Sequence, residues 1–290
     1  MKPAAFDHVA PTSLSEALRL IELHGAEAKV LAGGQSLVPV LALRLASPSW
    51  LIDLNHIPSL NGIERLESGA LRIGAMTTHR AIERSDIVAH ANPLLSTAMQ
   101  WVAHVQIRNR GTIGGSLSHA DPAAELPAIC LASDAIIVAK SLNGERKIRS
   151  REFFKGMFET DLSNDELLVE IRFPVWPHGR RYGFVEIARR HGDFAICGVA
   201  LILDCDELQK IIACRIVAFG VADKPIRLDS AERILQGKSI TDLKASSIDF
   251  VSEAAIDKLV PRSDHHASAE YRLELVHVLT ARALSQALLG

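Results

Sequence analysis

The sequence predicts an α+β fold, in which strands and helices fall in separate stretches of the chain. Three strand-like segments, 182–189, 194–203 and 211–219, follow one another, and the remainder has helical character. A connector with proline and glycine, Val175-Trp176-Pro177-His178-Gly179, precedes these strands. We therefore expect a domain boundary at this connector, with an N-terminal domain of residues 1–176 and a C-terminal domain of residues 177–290.

The first helix is predicted from its cap. Ser13 and Glu16 stand at capping-box spacing, in which each side chain accepts from the other residue's backbone amide. Apolar residues then recur at i, i+3, i+4 and i+7 from Leu14, which is the spacing of one helical face. Gly25 follows this pattern, and we expect the helix to end there.

The elements that follow include both strands and helices. A short apolar segment, 29–32, runs into Gly33-Gly34-Gln35-Ser36, which is typical of a strand entering a tight turn. Two turn sequences, Glu67-Ser68-Gly69-Ala70 and Asn143-Gly144, indicate hairpins. The pattern also predicts helices at 36–45, 78–84, 93–104, 125–131 and 266–288, strands at 51–54, 63–66, 71–74, 135–140 and 146–149, and a turn at 204–206.

Composition argues against several classes of protein. Lys and Arg total 32 and Asp and Glu total 34, so no basic track for nucleic acid is expected. No apolar run approaches the roughly 18 residues that a membrane span needs, and the first residues lack a signal-peptide core. Four scattered cysteines without a Cys-x-x-Cys pair are typical of a reduced, cytoplasmic chain.

Two glycine motifs are the main functional signals: Ala32-Gly33-Gly34-Gln35-Ser36-Leu37 and Gly111-Thr112-Ile113-Gly114-Gly115-Ser116. Paired glycines let the backbone approach a ligand closely, and consecutive exposed amides beside hydroxyl groups suit a pyrophosphate. Each motif could instead be an ordinary turn, and the residues alone leave both interpretations open. Neither a Gly-x-Gly-x-x-Gly fingerprint nor a P-loop is present, so a bound dinucleotide would require another fold.

Polar residues surround the second motif. His119, Asp121 and Glu125 could bind a divalent metal, Glu125 could accept from ribose or ribityl hydroxyls, or the segment could be a solvated loop before a helix. We expect no metal site, because Mg²⁺ and Ca²⁺ usually need more carboxylates and Zn²⁺ more His or Cys. Arg108 and Arg110 could neutralise a phosphate, contact a partner or be solvated.

These motifs resemble the medium, FAD-binding subunit of the xanthine dehydrogenase and carbon monoxide dehydrogenase family. The resemblance covers nearly the whole chain, and the long second motif with its preceding residues, 106–116, is its most specific part. The other segments that carry it are Ala32-Gly33-Gly34-Gln35-Ser36 and the stretches 120–127, 165–168 and 189–195.

The resemblance implies a non-Rossmann FAD-binding region of two α/β subdomains, about 1–55 and 56–176, followed by an antiparallel sheet with helices. It implies that both motifs wrap the FAD diphosphate through Val30, Leu31, Ala32, Gly33, Gly34, Gln35, Ser36, Leu37, Gly111, Thr112, Ile113, Gly114, Gly115 and Ser116. Further expected FAD contacts are Asp121, Glu125 where relatives usually carry Asp, and the Leu168 backbone. Phe194 occupies a position where some relatives place Tyr beside the isoalloxazine, although a Phe at a strand start can also be core.

The same resemblance implies an electron-transfer role in a heteromeric molybdenum hydroxylase. Electrons from a molybdopterin-binding large subunit would cross [2Fe–2S] clusters on a small subunit, reach FAD here and leave to an external acceptor. We expect a cytoplasmic dimer of heterotrimers and no catalytic residue on this chain. The alternatives are a self-sufficient FAD-dependent oxidoreductase of the same broad fold and a binding module without FAD, against which the presence of both glycine motifs argues.

Overall fold

Three larger β-sheets follow one another along the described part of the chain. The structure is a computed structural model that describes residues 2–243 and 245–289, and Met1, Lys244 and Gly290 lie outside the described residues. This succession of sheets with helices is the α+β architecture that the sequence predicts.

The first sheet is parallel and has the strand order β1-β3-β2. Its strands and the two helices that connect them are β1 (Asp7–Val9), α1 (Leu14–His24), β2 (Ala28–Leu31), α2 (Leu37–Ala42) and β3 (Trp50–Asp53). The α1 cap forms in part as predicted: the Ser13 hydroxyl accepts from the Glu16 amide, but the Glu16 carboxylate accepts from the Thr12 amide instead of the Ser13 amide.

The second sheet is antiparallel and has the strand order β4-β5-β10-β6-β7. Its strands are β4 (Ile63–Arg65), β5 (Leu71–Gly74), β6 (Ile136–Ser141), β7 (Gly144–Arg149) and β10 (Leu167–Phe173). Between β5 and β6 lie the helices α3 (His79–Glu83), α4 (Asp86–Ala91), α5 (Pro93–Ala98), α6 (Val105–Arg108), α7 (Ile113–His119) and α8 (Glu125–Ala132). After β7 come α9 (Ser150–Phe153) and a small hairpin of β8 (Phe154–Gly156) and β9 (Glu159–Thr160).

The third sheet is an antiparallel sheet with the strand order β11-β12-β13-β14. It comprises β11 (Arg181–Ala188), β12 (Ala195–Cys205), β13 (Ile211–Phe219) and β14 (Ile226–Arg227), followed by α10 (Asp229–Leu235), α11 (Ala245–Ala255) and α12 (Ala269–Leu289). α12 packs along β11 and β12, and Gly183 permits this because a Cβ there would lie 2.0 Å from the Ala283 carbonyl oxygen.

The second and third sheets share one buried apolar cluster. One apolar cluster includes Ile73 and Leu168 of the second sheet together with Phe184 and Phe219 of the third. Burying a side chain of this size contributes about 1.5–3 kcal/mol. The two parts of the chain therefore share a core across the predicted boundary.

Four local expectations are corrected. The predicted helix 93–104 is shorter, since α5 ends at Ala98 and residues 99–104, which include Ala103 with a φ of +46°, are not helical. The turn predicted at 204–206 lies later, because β12 continues to Cys205 and Asp206 closes the turn by accepting from the Lys210 amide. The parallel strand β1 was not expected, and residues 113–116 are helical where an open loop was expected.

Among the helices of the described residues, none combines the length and apolar character needed to cross a bilayer.

Candidate functional site

The first glycine motif is an open loop between β2 and α2. Gly34 has a φ of +74°, which favours glycine, and the Asn55 side chain fixes the loop by donating to the Ala32 carbonyl oxygen at 3.0 Å. Among the described residues, the backbone amides of 33–37 have no hydrogen-bond acceptor. Unpaired consecutive amides are the donors that an anionic group can accept from.

The second glycine motif forms the first turn of α7, and its amides are mostly occupied. Ile113 donates to the Thr77 carbonyl at 3.1 Å, Gly114 to the Ala75 carbonyl at 2.8 Å and Gly115 to the Thr112 hydroxyl at 3.2 Å. The expected row of exposed amides in this motif is therefore wrong, because these donors already have partners within the protein.

The two motifs meet directly. A Cβ on Gly33 would lie 2.1 Å from the Arg110 carbonyl oxygen and 2.8 Å from the Gly111 Cα. A Cβ on Gly115 would lie 3.4 Å from the Ala32 Cβ. The absence of a side chain at position 33 thus allows two backbone segments, distant in sequence, to come into contact.

A cavity of about 350 Å³ opens at this junction. It is lined by Gly33, Gly34, Gln35, Val38, Pro39 and Arg110. Arg110 is exposed and forms no salt bridge among the described residues, whereas Arg108 donates to both oxygens of Glu83 at 3.1 and 3.2 Å. Of the two arginines that precede the second motif, Arg110 is therefore the one placed to face an anion.

His79 packs against the backbone at the start of the second motif. Its amide donates to the Gly111 carbonyl at 2.8 Å, and a Cβ on Gly111 would lie 3.0 Å from its Nδ1. Burial lowers the pKa of His79 to about 4, with the Arg108 charge acting in the same direction and a Thr112 backbone group opposing. His79 is therefore a neutral imidazole that packs against the backbone of the motif.

Asp121 and Glu125 flank the turn that enters α8. Asp121 is half-buried, and its Oδ1 accepts from the Ala123 amide at 2.9 Å, which closes the turn. Glu125 is 7% exposed, and burial, reinforced by the Asp121 charge, raises its pKa to about 7. Glu125 is consequently a buried carboxyl group without a cation partner among the described residues.

Leu168 and Phe194 do not line this cavity. Leu168 is buried on β10, and the carbonyl of the next residue accepts from the Ala75 amide at 2.9 Å, which holds β10 beside α7. Phe194 lies in the β11–β12 connection and is 68% exposed, so it is no core residue. Gly192 in that connection lies against His104, since a Cβ there would lie 2.5 Å from the His104 ring.

Several residues of the site were not predicted from the sequence. Val38 and Pro39 line the cavity from α2, Asn55 fixes the first loop, and His79 supports the second motif. Asn55 gives a local signal because it lies two residues after the end of β3, where a polar side chain can reach the neighbouring loop. The other three depend on tertiary contacts that no local pattern indicates.

The residues present suit the FAD diphosphate that the resemblance implies. Unpaired amides at 33–37 can donate to phosphate oxygens, and Arg110 carries a positive charge at the same cavity. The glycines leave room for a ligand to approach the backbone.

Two family models match nearly the whole chain. The FAD binding domain in molybdopterin dehydrogenase matches residues 4–176, and the CO dehydrogenase flavoprotein C-terminal domain matches residues 182–287.

Relatives match over the same extent. The alpha subunit of the 6-hydroxypseudooxynicotine dehydrogenase complex of Paenarthrobacter nicotinovorans is 44% identical over 99% of this chain and 96% of the relative. The beta subunit of caffeine dehydrogenase of Pseudomonas sp. strain CBB1 is 40% identical over the same shares, 99% and 96%. A solved carbon monoxide dehydrogenase structure from Hydrogenophaga pseudoflava matches with a TM-score of 0.94 and 36% identity, covering 99% of this chain and 98% of that one.

These matches confirm the predicted family and fold class. They agree with the geometry, in which the two glycine motifs meet beside a cavity whose loop amides and Arg110 have no partner in the described part of the chain. The chain belongs to the FAD-binding medium subunits of the molybdenum hydroxylase family, and it is an oxidoreductase subunit whose cofactor is FAD.

Proposed function

We propose that this chain relays electrons from [2Fe–2S] clusters on a small partner subunit, through FAD, to an external acceptor. The clusters would in turn receive electrons from a molybdopterin-binding large subunit, where the substrate is hydroxylated. The contact between Gly33 and the Arg110–Gly111 backbone carries the proposal, because it joins the two glycine motifs beside a cavity that the first motif and Arg110 line. The relatives support it, since their names describe subunits of dehydrogenases.

The residues of the two motifs would hold FAD in different ways. The amides of 33–37 would donate to the diphosphate, with Arg110 supplying a positive charge. The second motif would hold α7 in place through the backbone of Gly111, Thr112, Ile113 and Gly114. Gly115 and the Ser116 side chain would then face the ligand. Val30 and Leu31 would support the first loop from β2.

The remaining expected contacts would surround the rest of the cofactor. We propose that Asp121 and Glu125 border it on the α8 side, that the Leu168 backbone approaches it from β10, and that the exposed Phe194 ring covers part of it. A bound flavin can accept electrons singly and deliver them in pairs, while the protein supplies orientation and electrostatics.

The test is electron flow in the assembled complex. The chain is co-expressed with its large and small partners, and reduction of the clusters and of the external acceptor is followed separately. A complex that carries Gly33→Ala should lack FAD, so the clusters still become reduced by substrate but the acceptor does not.

The matched control is Gly156→Ala, where the new Cβ would meet only the flexible Glu159 carboxylate at 3.3 Å. In this complex, substrate should still reduce the clusters, and the external acceptor should still become reduced. Substrate oxidation by the purified single chain would contradict the proposal and favour a self-sufficient flavin oxidoreductase. We further propose a dimer of heterotrimers, which sedimentation of the complex tests.

A further inference from the structure

Two carboxyl groups lie buried between the N-terminal and C-terminal parts of the chain. Glu125 is the first residue of α8, and Glu186 lies on β11 in the inward-facing phase that also buries Phe184. Their exposed fractions are 7% for Glu125 and 5% for Glu186. Such burial is rare for a glutamate unless it is paired with a cation.

Neither carboxyl group has a cation partner in the part of the chain that the structure describes. No salt bridge involves Glu125 or Glu186, and Oε2 of Glu186 is fully buried without a hydrogen-bond partner. The guanidinium of Arg272, which like Glu186 lies near Cys197, pairs with neither glutamate: its terminal nitrogens donate to the Ile196 and Gly220 carbonyls and to Asp264 at 2.7 Å, and its Nε has no partner among the described residues. An uncompensated buried charge is costly, so ionisation of both groups is opposed.

The groups that act on the pair do not relieve this cost. Asp121, before α8, adds a further negative charge beside Glu125, and Cys197 on β12 is a neutral thiol beside Glu186. Burial raises the pKa of Glu186 to about 9, and the Glu125 charge raises it in the same direction. Two coupled carboxyl groups without a cation take up their protons as a pair.

The pair lies where the two parts of the chain touch. The Gly220 amide, after β13, donates to the Pro122 carbonyl at 2.8 Å in the turn that leads into α8. Gly220 also packs on the start of β12, since a Cβ there would lie 2.9 Å from the Ile196 carbonyl oxygen. Repulsion between Glu125 and Glu186 would therefore act directly across this contact.

We propose that Glu125 and Glu186 form a proton-binding site that keeps at least one of the two carboxyl groups protonated at neutral pH, joins the two parts of the chain and keeps the cofactor side of α8 free of a second negative charge. The second half of this inference rests on the proposed function, because it places FAD, an anion, beside Glu125. Glu186 is then a positioning residue, since it acts through Glu125.

The sign of the pH dependence follows from the raised pKa values. Above the ordinary glutamate pKa, the folded protein binds more protons than the unfolded chain does. The contribution of the pair to the free energy of unfolding is therefore fully present at pH values below that pKa. It is lost as pH rises through about 7 and then about 9. If folding or FAD binding is coupled to one proton, its equilibrium constant changes by at most about tenfold per pH unit.

The experiment compares the FAD-loaded wild-type chain with Glu186→Gln and, as a second variant, Glu125→Gln. The Tm and the FAD dissociation constant are measured from pH 6 to pH 10, and the infrared band of a protonated carboxyl group is recorded at pH 7. We expect the wild-type Tm to fall and the FAD dissociation constant to rise as pH increases. In Glu186→Gln both curves should flatten and the band should weaken.

Glu166→Gln is the control, because Glu166 is paired with Arg146, which holds its pKa low, and has no part in the pair. This variant should keep the wild-type slope above pH 7. Parallel Tm curves for wild type and Glu186→Gln, or an unchanged carboxyl band, would overturn the claim that this pair holds a protonated carboxyl group. A flattened Tm curve with pH-independent FAD binding would overturn only the link to the cofactor, and failure to bind FAD at all would refute the proposed function instead.

Discussion

Replacing Gly33 by alanine is the most direct perturbation of the site. The new Cβ would lie 2.1 Å from the Arg110 carbonyl oxygen and 2.8 Å from two further backbone atoms. Ordinary contact begins at 3.4 Å, so the first loop must move by about 1.3 Å from the Arg110–Gly111 segment. No side chain can rotate to absorb this shift, because every atom that the Cβ meets is backbone.

Such a displacement moves the donors of the loop away from a bound diphosphate. Charge-assisted hydrogen bonds contribute about 1.5–3 kcal/mol each, so losing two of them costs about 3–6 kcal/mol. The FAD dissociation constant of the Gly33→Ala chain should therefore rise at least about a hundredfold. Titration of FAD into the apoprotein, followed by quenching of flavin fluorescence, measures it.

The control separates binding from folding. Gly156→Ala should bind FAD as wild type does, and far-ultraviolet circular dichroism of both variants should match the wild-type spectrum. An FAD dissociation constant for Gly33→Ala within about threefold of wild type, with a normal fold, would refute the role that we assign to the Gly33 contact.

Three further outcomes are expected from the same structure. Arg108→Ala should lower the free energy of unfolding by about 3 kcal/mol in urea titrations, because Glu83 loses a partly buried partner, whereas Arg151→Ala in an exposed pair should cost less than about 1 kcal/mol. Phe194→Ala should change stability by less than about 0.5 kcal/mol but weaken FAD binding about tenfold, and equal FAD affinity would exclude a ring contact. Asp264→Asn should lower the Tm at neutral pH, and the difference from wild type should vanish as pH falls toward 2, because the folded pKa of Asp264 is held at about 2 by backbone amides and Arg272 against the effect of burial.

Local sequence signals predicted much of the fold. The Ser13 hydrogen bond of the α1 cap and the β6–β7 hairpin form as expected, because their geometry depends on neighbouring residues alone. The two central residues of this hairpin are Leu142 and Asn143, one position before the predicted Asn143-Gly144. The three-residue strand β1 was not predicted, since it is defined by its parallel pairing with β3. The end of α5 at Ala98 was also missed, because no glycine or proline follows it within residues 99–104.

The site was predictable in outline. The first motif was recognised from Gly33-Gly34, but its contact partner Arg110 lies 77 residues away in sequence (110 minus 33), and only the fold joins them. Glu186 could have been noticed, since it occupies an inward position of a strand between two apolar neighbours. A charged residue in that phase is a signal of a paired or protonated group.

The correction at the second motif explains why two glycine motifs are needed. The amides of the second motif that donate to Ala75, Thr77 and Thr112 cannot also donate to a ligand. The bonds to Ala75 and Thr77 instead fix α7 to the segment that follows β5. The first loop belongs to the parallel sheet and offers the free donors, so each sheet contributes half of the site. Because the first loop meets the second motif at Gly33 and at the Gly115–Ala32 contact, a ligand that accepts from the first loop and packs against α7 stabilises the contacts that build its site. A substitution at Gly33 should therefore weaken FAD binding together with this local contact, while the buried cluster that joins Ile52 to Met76 and Val169 keeps the two sheets packed.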